Sequence, residues 1–102
     1  MSLVKGSLYK KSDFGITFPK NLRYIAEING EDYTFFTIGD EFDNEFVSDG
    51  VLIVGSPVQQ NTVPKRKSHL FVRTLPEKKF EYIGEIYVTK PHDAKRNLVV
   101  VK

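Results

Sequence analysis

The 102-residue sequence contains no cysteine and no tryptophan. The lack of cysteine excludes both a disulfide framework and a thiolate metal site. No run approaches the roughly 18 apolar residues that a membrane helix needs, and the first residues lack the apolar core of a secretory signal. We therefore expect a soluble, cytoplasmic protein that has no membrane partner.

The length predicts one β-rich domain that spans residues 1–102. Such a chain can build a single core, but it is too short for a typical nucleotide-driven enzyme with separate substrate and cofactor lobes. The opening Met1-Ser2-Leu3 is compatible with residues that were added at the N-terminus. In that case the domain has been excised from a larger multidomain protein.

Charge is distributed unevenly along the chain, although the total is only +2. Residues 1–59 hold five basic and nine acidic groups, a net charge of −4, whereas residues 60–102 hold ten basic and four acidic groups, a net charge of +6. Such an asymmetry can concentrate positive potential on one side and attract a polyanion. The alternative is that a two-faced sheet simply distributes its charges unevenly.

Two segments predict β-hairpins. In residues 23–38, two alternating runs flank Asn29-Gly30, the pair that best tolerates the positive φ angles of a tight turn. In residues 69–84, Leu70 and Val72 alternate with Phe71 and Arg73 before a turn over residues 76–79. The returning strand then alternates again, with aromatic residues on one side.

The remaining elements are predicted to be short. Phe14, Ile16 and Phe18 indicate a short strand or edge segment, and residues 51–54 and 98–101 indicate two more strands. Residues 89–97 are typical of a loop, and residues 40–47 could form one helical turn that buries Phe42 and Phe46. The predicted fold is mainly β, a single small curved sheet or barrel of about six to eight strands with at most one or two short helices.

Catalytic and metal-binding patterns are weak, and we expect neither a metal nor a cofactor. His69 and His92 lie too far apart for a zinc helix motif, and His69 is better placed at the surface or against a phosphate. Ser56 lacks the second glycine of a nucleophile elbow. A cluster of carboxylates does not match the spacing of a calcium loop and is interpreted as a solvated face: Asp40, Glu41, Asp43, Glu45 and Asp49.

The loop over residues 56–68 suggests contact with nucleic acid. Gln59, Gln60 and Asn61 can hydrogen-bond base edges, and the basic triplet Lys65, Arg66 and Lys67 can neutralise phosphates. At 13 residues, the loop is also longer than a minimal connection. A flexible polar connector is the alternative interpretation.

The segment His69-Leu70-Phe71-Val72-Arg73, followed by Phe80-Glu81-Tyr82-Ile83-Gly84, resembles the "LFVR … F-Y-L-G" signature of a domain found at the C-terminal end of bacterial helicase-nuclease proteins. That domain is similar to the SRA-like and PUA-like readers of modification-dependent restriction systems. Upstream, Val51-Leu52-Ile53-Val54-Gly55-Ser56 occupies the place of a strand that ends in Trp-Gln-Ser-Gln in the family, and only Ser56 of that tetrad is retained.

The resemblance implies a curved β-barrel whose concave face engages DNA and accepts a flipped, modified base. Extruding a base costs a few kcal/mol, which stacking and hydrogen bonds must offset. Helicase or nuclease domains of the same protein would then supply the chemistry.

We therefore expect a noncatalytic DNA-binding module of a restriction or defence protein. The alternative is a protein-interaction module that docks a neighbouring domain through a sheet edge or through its acidic segment, and an enzyme ranks third. Arg73 could equally pair with Glu81 or Glu85 across its hairpin. The candidate DNA-binding residues are Ser56, Gln59, Gln60, Lys65, Arg66, Lys67, Arg73, Lys78 and Lys79.

Overall fold

Two predicted hairpins lie side by side in the computed structural model, which describes residues 3–16, 23–39, 45–48, 51–54, 63–92 and 96–101. The fold is mainly β, as predicted, and its sheet curls into a half-barrel. Within the described ranges the one helical element is the short 3-10 helix Lys11–Phe14. These ranges contain no helix that is both long and apolar enough to cross a membrane.

The described residues form eight strands. In chain order they are β1 Leu8–Tyr9, β2 Arg23–Ile28, β3 Glu31–Ile38, β4 Glu45–Ser48, β5 Val51–Val54, β6 Ser68–Thr74, β7 Phe80–Pro91 and β8 Asn97–Val101. Their order across the sheet is β2-β3-β6-β7-β8-β5-β4, and β1 pairs with β7. All neighbours are antiparallel except β3 and β6, which run parallel.

The hairpin β2–β3 confirms the turn that its sequence predicts. Asn29 and Gly30 adopt φ angles of 52° and 80°, which are the positive values that a two-residue hairpin turn of this type requires. The strands then pair in register from Ile28 opposite Glu31 to Arg23 opposite Phe36.

The hairpin β6–β7 is also confirmed, but it contains a bulge that the alternating pattern does not show. Leu70 pairs with Gly84 and Phe71 pairs with Tyr82, so Ile83 is an extra residue on β7. Gly84 has a φ of 142°, a conformation that glycine adopts without the steric cost of a side chain.

The two faces of the sheet bury separate apolar clusters. One cluster, which also receives Phe14 from the 3-10 helix, contains Ile16, Ala26, Phe35, Phe71, Phe80 and Tyr82. The other contains Phe36, Leu70, Val72 and Val99. Phe71 is fully buried, and its ring stacks on that of Phe35 with 4.7 Å between centroids. Aromatic packing between β3 and β6 therefore lies at the centre of the core.

Three local predictions are wrong. Phe14 ends a 3-10 helix rather than lying in a strand, since Lys10 N–H donates to Asp13 Oδ2 (2.8 Å) and starts a helical turn. Phe46 belongs to β4 and is exposed, which excludes the predicted helical burial, while Phe42 lies outside the described residues. The predicted loop over residues 89–97 is wrong at both ends, because β7 continues to Pro91 and β8 begins at Asn97.

Replacing Gly30 with alanine should destabilise the fold. A Cβ at this position meets no atom within 4 Å, so the penalty comes from the positive φ alone and should be about 1 kcal/mol. Asn29→Gly, which keeps a residue suited to positive φ, should change the free energy of unfolding by less than about 0.5 kcal/mol. Urea denaturation measures both variants, and equal effects would contradict this account of the turn.

Candidate nucleic-acid interface

The structure describes six of the nine candidate residues and separates them into two groups. Ser56, Gln59 and Gln60 lie outside the described residues. Lys65, Arg66 and Lys67 precede β6, whereas Arg73, Lys78 and Lys79 lie at its other end. Lys67 and Arg73 are six positions apart, about 20 Å along an extended strand. The cations therefore form two separate surfaces.

The basic triplet is fixed in place by the parallel pairing of β3 and β6. Asp32 N–H donates to Lys67 O at 2.9 Å, and Asp32 then pairs with Ser68 at the start of β6. The Ser68 hydroxyl donates to Arg66 O at 3.1 Å. These bonds hold the end of the loop against the edge of the first hairpin.

Arg66 bridges the two strands of the first hairpin. Its Nε donates to Asp32 Oδ1 at 2.9 Å, and a terminal amino group donates to Glu27 Oε1 at 2.7 Å. The hydrogen bond to Asp32 is the main factor that raises the pKa of Arg66. Much of the charge of Arg66 is thus already offset by two carboxylates.

The other two cations of the triplet are more available to a ligand. Lys67 Nζ lies 3.4 Å from Glu85 Oε1, and both side chains are partly exposed. Exposed ion pairs of this kind contribute only about 0–1 kcal/mol, so a phosphate can replace the carboxylate at little cost. Lys65 is exposed and makes no ion pair with any residue that the structure describes.

An open depression of about 300 Å³ lies beside the triplet and is termed the basic depression here. It is lined by residues 63–68 and by Glu85, Ile86 and Tyr87 of β7. Tyr87 is 57% exposed, and Val63 is also largely exposed. The depression thus combines an aromatic ring, apolar side chains, three cations and one carboxylate.

A second bulge in β7 accounts for the exposure of Tyr87. Ile86 pairs with Val101 and Val88 pairs with Val100, so Tyr87 is an extra residue without a partner on β8. Bulges interrupt the alternation of a strand and redirect side chains, and they are frequent beside functional sites. Ile86 and Val88 on either side of Tyr87 pack into the sheet, while the tyrosine ring faces solvent.

At the other end of β6, Arg73 packs against the sheet. Its Nε donates to Thr37 Oγ1 at 3.0 Å, and its guanidinium carbon lies 4.7 Å from the centre of the Phe80 ring. The alternative prediction of a pair with Glu81 or Glu85 is wrong, because Arg73 faces β3 and Phe80 instead. Neighbouring Lys78 and Lys79 are exposed in the turn between β6 and β7.

A larger open groove of about 810 Å³ adjoins this second group. Its walls carry Arg73 and Lys79, but also Glu77 and Glu81, so its charges are mixed. Leu8 and Phe46, 58% and 43% exposed, lie on the same groove. Mixed charges around exposed apolar side chains are common in surfaces that bind proteins.

His69 does not lie at the surface, so its predicted phosphate contact is wrong. It is 4% exposed and joins three strands through its two ring nitrogens. Nδ1 lies 2.8 Å from the Tyr82 hydroxyl, and Nε2 lies 2.5 Å from Glu31 Oε1. A neutral ring protonated at Nε2 satisfies both contacts, donating to Glu31 and accepting from Tyr82.

The pKa values of two groups in this polar network are shifted. The hydrogen bond from His69 is the main factor that lowers the pKa of Glu31. Burial is the main factor that raises the pKa of Tyr82 to about 12. The network connects β3, β6 and β7, and the rings of His69 and Tyr82 within it are buried.

The described residues contain no group of three or more metal-ligating side chains. His92 is exposed, and its backbone N–H donates to Arg96 O at 3.0 Å. Within the acidic stretch the structure describes only Glu45, which lies 3.8 Å from an Arg96 amino group. Asp40, Glu41, Asp43 and Asp49 lie outside the described residues.

Comparison with known proteins identified no matching family model, no matching curated protein and no matching solved structure. The SRA-like and PUA-like resemblance therefore stays a prediction.

Sequence reasoning missed two features of these surfaces. Tyr87 was not among the candidate residues, because a bulge is not visible in the alternating pattern. Lys11 was also missed, although it lies within 6 Å of two aromatic ring centres. Both residues are brought to their sites by long-range packing.

Tyr82→Phe should change how stability depends on pH. The folded-state pKa of about 12 lies above the unfolded value of 10, so the stabilising contribution is complete below pH 10 and is lost as pH rises towards 12. Wild type should lose on the order of 2 kcal/mol more than the variant across this range.

Urea denaturation at pH 8, 10 and 11 measures the difference, of which roughly 1 kcal/mol should be present by pH 11. At pH 8 the variant should be less stable by about 1–2 kcal/mol, because the buried ring of His69 loses a hydrogen-bond partner. Tyr87→Phe, at an exposed position, serves as the control. If the curves of wild type and Tyr82→Phe stay parallel up to pH 11, this account of Tyr82 is incorrect.

Proposed function

We propose that this chain is a noncatalytic DNA-binding module whose contact surface is the basic depression. The observation that carries the proposal is the placement of an exposed Tyr87, at a bulge, beside the cations that precede β6. An aromatic ring beside cations supports contact with both the bases and the phosphate backbone of a nucleic acid. Cations attract the phosphate backbone, and an exposed ring can stack on a base.

The roles within the surface differ from those that the sequence alone predicts. Lys65 and Lys67 act as phosphate contacts, because both ammonium groups are exposed at the rim of the depression. Arg66 acts mainly as a positioning residue, because its guanidinium holds Glu27 and Asp32. Tyr87 supplies the stacking surface, which contributes about 1–3 kcal/mol per base in single-strand binding proteins.

Removing the two lysines should lower both the affinity for DNA and its salt dependence. The double variant Lys65→Gln/Lys67→Gln should reduce the slope of log K against log salt by about 0.9 for each phosphate that the protein no longer neutralises. Fluorescence anisotropy with a labelled duplex at several salt concentrations measures this slope. Lys10→Gln removes one positive charge beside the 3-10 helix and should leave the slope nearly unchanged. An unaltered slope in the double variant would exclude the basic depression as the contact surface.

Replacing the Tyr87 ring should affect DNA binding differently from removing the two lysines. Tyr87→Ala should weaken DNA binding by roughly tenfold, the effect expected when one base no longer stacks on the protein, without changing the salt slope. Tyr87→Phe keeps the ring and should bind as wild type does. Titrations with single-stranded and duplex DNA of one sequence measure both variants. Equal affinity of Tyr87→Ala and wild type for both DNA forms would show that the ring does not contact DNA.

Reading of a modified base within a restriction or defence protein is the more specific form of this proposal. It is supported by the sequence resemblance and by the exposed ring of Tyr87 in the open basic depression. A comparison of unmodified, methylated, hydroxymethylated and phosphorothioate duplexes at two salt concentrations tests it. A base reader should distinguish these duplexes by more than a uniform electrostatic offset.

A second candidate function is protein interaction through the larger groove. It is favoured by the exposure of Leu8 and Phe46 beside both signs of charge. Under this alternative, the chain would not bind DNA even at low salt, and Phe46→Ser would weaken binding to a neighbouring domain of the parent protein.

A further inference from the structure

Two cations share one aromatic ring at the end of β6 remote from the basic depression. Lys11 Nζ lies 5.6 Å from the centre of the Phe80 ring, and the guanidinium carbon of Arg73 lies 4.7 Å from the same centre. Lys11 Nζ also lies 5.7 Å from the centre of the Phe35 ring. Aromatic faces attract cations, which explains why each side chain can remain close to the apolar cluster.

Separate elements hold the two cations in place. Arg73 is fixed by the hydrogen bond from its Nε to Thr37 Oγ1, at a position where β3 and β6 pair in register. Lys11 begins the 3-10 helix, which is anchored by the packing of Phe14 against Phe71, with 5.4 Å between ring centroids. Both positive charges are therefore built into the fold rather than carried on a free loop.

Two like charges repel when they are held close together, and a bound anion relieves that repulsion. The pKa of Lys11 is lowered, first by burial and second by the charge of Arg73. Arg73 makes no ion pair with a carboxylate in the described part of the chain, so its terminal amino groups are available as donors. A planar guanidinium and an ammonium group that lie against the same ring can together supply hydrogen-bond donors and positive charge to a phosphate.

We propose that Lys11 and Arg73, placed around the Phe80 ring, form a binding site for a phosphate-type oxyanion. The ring sets the position of both cations, the guanidinium can donate two parallel hydrogen bonds, and the ammonium group supplies a second charge. The site lies apart from the basic depression, and it does not depend on the function proposed for that surface. The oxyanion can be a free phosphate or a phosphate of a nucleic-acid backbone.

The experiment is an NMR titration of the full chain with inorganic phosphate, compared with sodium chloride at matched ionic strength. Phosphate should cause saturable shifts at the backbone amides of Lys11–Phe14 and at the Nε–H of Arg73, whereas chloride should not. Lys11→Gln and Arg73→Gln should each weaken phosphate binding by about tenfold, the effect expected for removal of one charge-assisted hydrogen bond. Lys90→Gln, at the far end of β7, should bind phosphate as wild type does.

Equal shifts with phosphate and chloride would overturn the proposal, as would wild-type affinity in Lys11→Gln. Because Lys11 is on the surface of the 3-10 helix, this variant tests the site even if Arg73→Gln fails to fold. A titration with duplex DNA distinguishes the two sources of phosphate: a backbone phosphate at this site should shift the amides of Lys11–Phe14, and Lys11→Gln should lose these shifts while it keeps those at the basic depression. Phosphate binding without DNA binding would reject the DNA-binding function and retain this site. DNA binding without phosphate binding would retain the DNA-binding function and reject this site.

Discussion

The parallel pairing of β3 with β6 is the constraint on which the rest of the structure depends. It joins two hairpins that are distant in sequence, and the stacked rings of Phe35 and Phe71 hold it at the centre of the core. Aromatic pairs of this kind contribute about 0.5–1.5 kcal/mol beyond their buried area. The same register places Asp32 beside the basic triplet and Thr37 beside Arg73. Both cationic surfaces are thus consequences of one strand pairing.

Local sequence signals were sufficient for the two hairpins and for the mainly β class. The Asn29-Gly30 turn and the alternation around Phe71 depend on residues that are neighbours in the chain, so their patterns report directly on structure. The parallel pairing has no such local signature, because parallel strands are joined by a long connection. The burial of His69 follows from that pairing: Glu31 on β3 and Tyr82 on β7 reach its ring from either side. From the sequence alone, a histidine beside a basic loop could not be distinguished from a surface residue.

The candidate surfaces were predicted in composition but not in arrangement. Lys65, Arg66 and Lys67 form a basic triplet in the sequence, yet two carboxylates of the first hairpin offset the charge of Arg66. The exposed position of Tyr87 results from a bulge between β7 and β8, and Lys11 meets Phe80 only after the chain has folded. Charge and aromatic content can be counted in a sequence, whereas their proximity depends on strand register.

The most direct test of the DNA-binding account is an amide chemical-shift map of the chain, recorded during titration with a short duplex at low salt. The account predicts saturable shifts that are largest at residues 63–68 and 85–87, around the basic depression. The absence of saturable shifts, or shifts confined to the groove that carries Phe46, would contradict it.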